Sequence, residues 1–150
     1  MEYVKLVNCV GGHPKIHNYT LGINEYNDFS PTDGMYFTYP KYIFNYISVG
    51  STVVIGEEIN GYEPEYDPES MSEGSEEIPG FRFRKINIVC IQELNVEMMK
   101  YLLSIGADIS ANNYSIVKWS YRYNKEIYTY LHDQDPALIE RIISEYYWFL

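Results

Sequence analysis

The hydrophobic pattern of the first half of the chain predicts short strands. Apolar and polar side chains alternate over residues 3–7, a compact aromatic segment covers 34–38, and a β-branched run covers 52–55. A long alternating segment, residues 81–91, predicts one more strand, and a short strand is predicted near 19–23 within a polar connection. These segments predict a small mixed or antiparallel sheet.

The remaining apolar spacing is helical. Pro40 and the apolar residues that follow predict a helix that ends at Gly50. From residue 96 onward apolar residues recur every three or four positions, and Gly106 stands where a helix would end in a left-handed turn. Asp135 and Pro136 predict the N-cap and first position of the last helix. The chain is therefore predicted to be an α+β protein whose sheet carries one or two helices and is followed by a short helical array.

The domain organisation follows from these elements and from one acidic segment. Residues 1–93 are predicted to form an α+β domain, 94–133 a helical array, and 134–150 a C-terminal capping helix. Residues 57–77 carry nine acids and no Lys or Arg. Because such a tract repels itself and buries little surface, residues 57–80 are predicted to be a mobile, solvated loop.

Composition limits the class of partner. The formal net charge is −10. Nucleic acid and anionic membranes bind clustered positive charge, so this balance argues against both and favours a protein partner with a basic surface. Cys9 and Cys90 are too few for a disulfide framework, which indicates a reduced, intracellular compartment. No segment approaches the roughly 18 apolar residues of a membrane-spanning helix, so we expect a soluble protein.

An internal repeat is visible in the helical half. Lys100-Tyr101-Leu102 returns as Thr129-Tyr130-Leu131, a shift of about 29 positions that lies in the range of solenoid proteins. Residues 96–109 resemble the outer helix and turn of an ankyrin repeat, with Gly106, Ala107 and Asp108 carrying the match. Residues 112–120 resemble the shortened inner helix of ankyrin proteins encoded by giant viruses of the mimivirus type. The usual Thr-Pro-Leu-His signature is absent, as it is in those viral repeats.

The first half adds to this resemblance. Residues 17–24 and 34–38, with the helix that follows, are similar to the non-repeat domain that precedes ankyrin arrays in the same viral family. The resemblance implies a short member of that family, with one good and one eroded repeat, that acts as a non-enzymatic protein-protein interaction module. It further implies a viral protein that acts in the host cytoplasm on a host or viral protein partner.

The many aromatic side chains offer large contact areas either to a core, which is favoured, or to a partner, and they supply the candidate partner-binding residues. The candidates lie in the helical half and at its end: Tyr114, Trp119, Tyr121, Tyr123 and Trp148. The aromatic terminus, residues 146–150, either anchors the last helix or forms an exposed contact, and a homodimer formed through this end is an alternative reading.

Two further segments of the sequence raise the possibility of metal binding or of enzyme chemistry. Cys9, His13 and His17 lie at four-residue intervals, but Pro14 and the nearby glycines disfavour the helix that would align them on a metal. Residues 34–37 also resemble the nicotinamide-site strand of ADP-ribosyltransferases, a resemblance that would use Tyr36, His17 and either Glu57 or Glu58. The alternative is that the aromatic residues of this strand belong to a core. No catalytic residue, cofactor or metal is assigned.

The array is expected to depend on the first domain. Ankyrin-like units cannot bury both faces alone, and an array this short gains little from stacking against its own neighbours. We therefore predict five apolar residues to be largely buried, partly against the sheet or the helix after Phe37: Val96, Met99, Leu102, Leu103 and Trp119.

Overall fold

The computed structural model describes residues 2–7, 19–26, 35–72 and 77–147, and it is an α+β fold, as predicted. The strands are β1 Glu2–Val7, β2 Gly22–Glu25, β3 Met35–Phe37, β4 Thr52–Glu57, β5 Glu65–Asp67, β6 Gly80–Phe83 and β7 Lys85–Glu93. A 3₁₀ helix covers Pro40–Tyr46, and the helices are α1 Val96–Ser104, α2 Ala111–Tyr123, α3 Lys125–Gln134 and α4 Pro136–Tyr147. No helix in these ranges is long and apolar enough to cross a membrane.

The strands form two antiparallel sheets. One has the order β1-β4-β7-β2 and the other β3-β6-β5. A bridge between Val4 and Thr38 joins them, with backbone hydrogen bonds of 3.0 and 3.1 Å. The short strand expected near residues 19–23 lies slightly later, as β2.

The four-stranded sheet is covered on both faces. Val4 and Ile55 belong to a large core that contains the 3₁₀ helix and all four α-helices, whereas Tyr3 and Val54 belong to a second core with the three-stranded sheet. Because successive residues of a strand point to opposite faces, the neighbours Tyr3 and Val4 enter different cores. The sheet thus separates the helices from the smaller sheet.

The prediction of a single strand over residues 81–91 is wrong in one respect. The chain bends at Arg84, so that β6 belongs to the smaller sheet and β7 to the larger one. The apolar pattern changes phase at this point, from buried Phe81 and Phe83 to buried Ile86 and Ile88. A phase change of this kind marks a break in the pleat, because side-chain direction has a period of two.

The prediction that residues 57–80 form a solvated loop is also wrong in part. Residues 65–67 form β5, which pairs with β6, and Glu65 Oε2 lies 2.8 Å from Arg82 Nη2. Tyr66 packs on Phe81 with ring centroids 5.2 Å apart, and Ile78 is fully buried. A cation on the neighbouring strand and aromatic packing offset the like-charge repulsion on which the prediction rested. Residues 73–76 lie outside the described residues.

The helices share one core with the larger sheet. α2 packs against the 3₁₀ helix, α3 and α4, while α1 packs against α3. Met99 and Leu102 are fully buried in the large core, as predicted. Val96, Leu103 and Trp119 are only partly buried at its margin, so the prediction for these three was too strong.

Three of the helices begin with a side-chain cap. Asn95 Oδ1 accepts a hydrogen bond from Met98 N at 2.8 Å, and Asn124 Oδ1 accepts one from Ile127 N at 3.1 Å. Asp135 Oδ1 accepts from Leu138 N at 3.2 Å, which confirms the predicted cap of the last helix. Each cap satisfies a backbone donor that the first turn leaves unpaired.

The Asn95 and Asn124 caps extend the internal repeat, because 29 residues separate the two asparagines. The same shift takes buried Met98 to buried Ile127, and buried Leu102 to buried Leu131. The matched positions therefore include the cap and the core position Met98/Ile127, in addition to the Lys/Thr-Tyr-Leu segment that contains Leu102 and Leu131.

In the described part of the chain, two left-handed segments shape the end of α1 and the start of α2. Gly106 has φ of +111°, and the amides of Gly106 and Ala107 bond to the carbonyls of Leu103 and Leu102 at 3.3 and 2.9 Å. This is the predicted glycine end of a helix. Asn112, Asn113 and Tyr114 also have positive φ, so the regular part of α2 begins near Ser115.

Removing either asparagine cap is expected to cost about 1 kcal/mol of unfolding free energy. Asn95→Ala and Asn124→Ala each remove one acceptor at the start of a helix, whereas Asn95→Asp and Asn124→Asp keep it. Urea unfolding of the four variants measures the difference, and the losses should add in the double alanine variant because the caps belong to different helices. Equal stability of the alanine and aspartate variants at both sites would contradict the assigned caps.

Candidate functional site

A groove of about 790 Å³ lies where three parts of the chain meet. One wall is the turn that follows the 3₁₀ helix, residues 47–51, and the other is α2. The end of α4 closes the groove with Tyr146 and Tyr147. Because these parts are distant in sequence, only the folded chain brings them together.

The α2 wall has helical spacing. Ser115, Lys118, Trp119 and Arg122 line the groove, and residues three and four positions apart lie on one face of a helix. Ser115 Oγ donates to the carbonyl of Phe44 at 2.8 Å, which ties this face to the 3₁₀ helix. The wall is therefore held in place by the large core.

Several large side chains that line the groove are exposed to solvent. Tyr123 is 68% exposed, Val49 49% and Tyr146 40%. Trp119 is partly buried, and its ring centroid lies 6.3 Å from that of Tyr123. Aromatic groups around a concavity are typical of surfaces that bind another molecule.

The charged side chains of the groove give it a positive character. Lys118 Nζ lies 4.6 Å from the ring centroid of Tyr146, and Arg122 Cζ lies 5.7 Å from that of Tyr123. Among the described residues no carboxylate lies within ion-pair distance of either cation. The carboxylate of Glu93, which also lines the groove, accepts hydrogen bonds from the hydroxyls of Ser51 and Thr52.

Four of the five predicted partner-binding residues are described, and these four lie in or beside this groove. Trp119 and Tyr123 line it, and Tyr121 packs against Tyr147 with ring centroids 5.2 Å apart. Tyr114 is partly buried and lines a neighbouring cavity of about 260 Å³ that shares Lys118 and Tyr146 with the groove. Trp148 lies outside the described residues.

Tyr121 also packs against Tyr128, with ring centroids 5.2 Å apart. Burial, followed by the charges of Tyr121 and Glu140, raises the pKa of Tyr128.

Sequence reasoning missed the two cations and Val49. Lys118 and Arg122 stand four positions apart on either side of Trp119 in a helix, a spacing that could have indicated one basic face. Val49 had no such signal, because its place in the groove depends on how the turn after the 3₁₀ helix packs against α2.

The three residues with metal-ligand spacing, Cys9, His13 and His17, all lie outside the described residues. Within the described ranges no cluster of three or more His, Cys, Asp or Glu residues could hold a metal ion. Burial raises the pKa of the Cys90 thiol, and the charge of Glu2 adds to this, so the thiol is not activated as a nucleophile.

Among the residues of the ADP-ribosyltransferase resemblance, Tyr36 and Glu57 lie in different sheets, and His17 lies outside the described residues. Tyr36 is in β3 of the smaller sheet and lines a cavity of about 500 Å³ with Glu65, Asp67 and Arg82. Glu57 ends β4 of the larger sheet, and the next residue, Glu58, accepts a hydrogen bond from Tyr3. Neither Glu57 nor Glu58 lines the cavity beside Tyr36.

Comparison with known proteins adds no family to this picture. No protein-family model, no curated protein and no solved structure matches the chain.

Proposed function

We propose that this chain is a non-enzymatic interaction module that holds a protein partner on the groove between α2, α4 and residues 47–51. The exposed aromatic surface of the groove carries the proposal, since Tyr123 and Tyr146 are 68% and 40% exposed. Tyr121, which packs against the groove residue Tyr147, is 45% exposed. Exposed tyrosines and tryptophans next to a concave, rigid wall are the usual anchors of protein interfaces.

The arrangement of the helices supports an ankyrin-like array as the scaffold of this module. α1 and α3 start with the same asparagine cap 29 residues apart and pack against each other. α2 packs against α4, so alternate helices are neighbours. Stacked helix pairs of this kind place repeated surfaces side by side, which is how solenoid proteins build binding faces.

The origin and setting of the module rest on the sequence resemblance. We propose a protein of the giant-virus ankyrin-repeat type that acts in the host cytoplasm on a host or viral protein. The formal net charge of −10 favours a partner whose overall surface is basic, because complementary fields raise the rate of encounter.

Site-specific cross-linking tests this function. We would replace Tyr123 with the photo-reactive residue p-benzoylphenylalanine, and replace Tyr66, which is 59% exposed on β5, in a matched control chain. The expected result is one reproducible protein cross-linked through position 123 in host lysate and not through position 66, with purified partner giving the same product.

Two outcomes would count against the proposal. Equal cross-linking through both positions would show non-specific contact, and no product through position 123 in a chain shown to be folded would leave the groove without a partner. A product whose mass is twice that of the chain would identify a homodimer formed through this surface. The partner would then be a second copy of this chain and not a different protein.

A further inference from the structure

The groove has a charge opposite to that of the chain. The formal net charge is −10, yet the groove presents Lys118 and Arg122 and has one carboxylate, Glu93, that is hydrogen-bonded by two hydroxyls. We infer that the groove binds an acidic peptide segment of the partner, in which carboxylates flank an aromatic or aliphatic side chain. This inference rests on the proposed function and specifies the segment that enters the site.

The two cations are available to a ligand. Both line the groove, and in the described part of the chain they lie over the faces of Tyr146 and Tyr123 and form no ion pair with a carboxylate. An aromatic face attracts a cation but does not neutralise its charge. An incoming carboxylate would form charge-assisted hydrogen bonds, which are about twice as strong as neutral ones.

Distance determines whether a bound carboxylate responds to the local cations or to the net charge of the whole chain. At physiological ionic strength exposed charges are screened beyond about 8 Å. A carboxylate bound between Lys118 and Arg122 is within a few ångströms of both, whereas none of the described acids among residues 57–72 and 77 lines the groove. The local cations therefore dominate once the segment is bound, and the net charge acts mainly on the approach of the partner.

The apolar part of the groove defines the rest of the ligand. Trp119, Tyr123 and the 49% exposed side chain of Val49 offer an aromatic and aliphatic surface beside the two cations. An apolar side chain of the peptide buries its surface there, while its acidic neighbours reach the rim. In most interfaces a few central apolar residues supply most of the binding energy, and polar contacts surround them.

A nucleic acid is the other polyanion to consider. A strand needs a continuous row of cations along its backbone, and affinity grows with the number of phosphates neutralised. The two cations of the groove, in a chain of net charge −10, can bind only a short anionic segment. The observations therefore favour a peptide, and a single-stranded oligonucleotide serves as a competing probe.

Paired peptide sets provide the test. Fluorescein-labelled decapeptides with two central aromatic or aliphatic residues and four glutamates on each side would be titrated with the full chain, beside the same set with glutamines. We expect at least one acidic peptide to bind with a Kd below about 100 µM, and its glutamine counterpart to bind at least tenfold more weakly. Raising the salt concentration should weaken the acidic peptide only.

Charge-removing variants locate the contact. Lys118→Gln and Arg122→Gln should each weaken the acidic peptide at least about fivefold. Lys100→Gln, which alters an exposed lysine paired with Glu97 on α1, is the matched control and should leave the affinity unchanged. Circular dichroism and thermal unfolding show that each variant is folded before its affinity is compared.

The outcomes separate this inference from the function on which it rests. No binding by any acidic peptide, equal binding by the glutamine set, or tighter binding of a ten-nucleotide single strand would overturn the acidic-segment proposal. If cross-linking through position 123 still captures one protein, the interaction function stands without it. If both experiments fail, both proposals are wrong.

Discussion

Replacing Leu102 with alanine is expected to lower the free energy of unfolding by about 2–5 kcal/mol. Leu102 is 0% exposed and lies in the large core with residues of the sheet, the 3₁₀ helix and the other α-helices. The substitution removes apolar contacts and leaves a cavity that the surrounding elements fill only in part. Urea unfolding monitored by circular dichroism measures the loss.

Leu21→Ala is the matched control, since Leu21 is 69% exposed and its truncation should change stability by less than about 0.5 kcal/mol. Because β4 and α3 share the large core with Leu102, Leu102→Ala should reduce hydrogen-exchange protection in both elements. Protection lost in the helices alone would contradict the shared core. A fragment of residues 93–150 that unfolds with a sharp transition would contradict it as well.

The fold class could be predicted from the sequence because its signals are local. β1 follows from alternation, the end of α1 from Gly106, and the start of α4 from Asp135 and Pro136. The predictions for 57–80 and 81–91 were wrong in part because their outcome depends on pairing. β5 forms where Glu65 meets Arg82 on β6, and the chain changes sheets at Arg84.

The groove could be predicted only in part, for a similar reason. The aromatic content of α2 pointed to Trp119 and Tyr123, which do line it. The opposite wall, residues 47–51, is about 70 positions away along the chain and is brought there by the packing of the 3₁₀ helix against α2. The three left-handed residues before Ser115, which set where the regular helix begins, have no clear sequence signal because one of them is a tyrosine.

Stability should depend on pH through one lysine on β1. Lys5 lies in the aromatic environment of the second core, with Nζ 3.1 Å from the Tyr19 hydroxyl and 5.8 Å from the ring centroid of Phe37. Among the described residues no carboxylate forms an ion pair with it. Burial lowers the pKa of Lys5 from 10.5 to about 8, because the charged form loses hydration.

The sign follows from proton uptake. Between pH 8 and 10.5 the side chain is neutral in the folded chain and charged in the unfolded chain, so unfolding takes up a proton and the stability contribution rises with pH. Below pH 8 the folded chain carries the full cost of the buried charge. Since a tenfold change in an equilibrium corresponds to about 1.36 kcal/mol, the lowering of the pKa from 10.5 to about 8 sets an upper limit of about 3.4 kcal/mol on that cost.

Lys5→Met is therefore expected to stabilise the chain by about 1–3 kcal/mol at pH 6.5, and by less than half as much at pH 9.5. Methionine keeps the length of the apolar stem and removes the charge, and the lost contact with the Tyr19 hydroxyl sets the lower end of the range. Urea unfolding of both chains at the two pH values measures the gain, and groups common to both chains cancel. Lys100→Met, at an exposed position, should give no such pH dependence. A gain of equal size at both pH values would show that Lys5 titrates alike in the folded and unfolded chains, and that packing alone had changed.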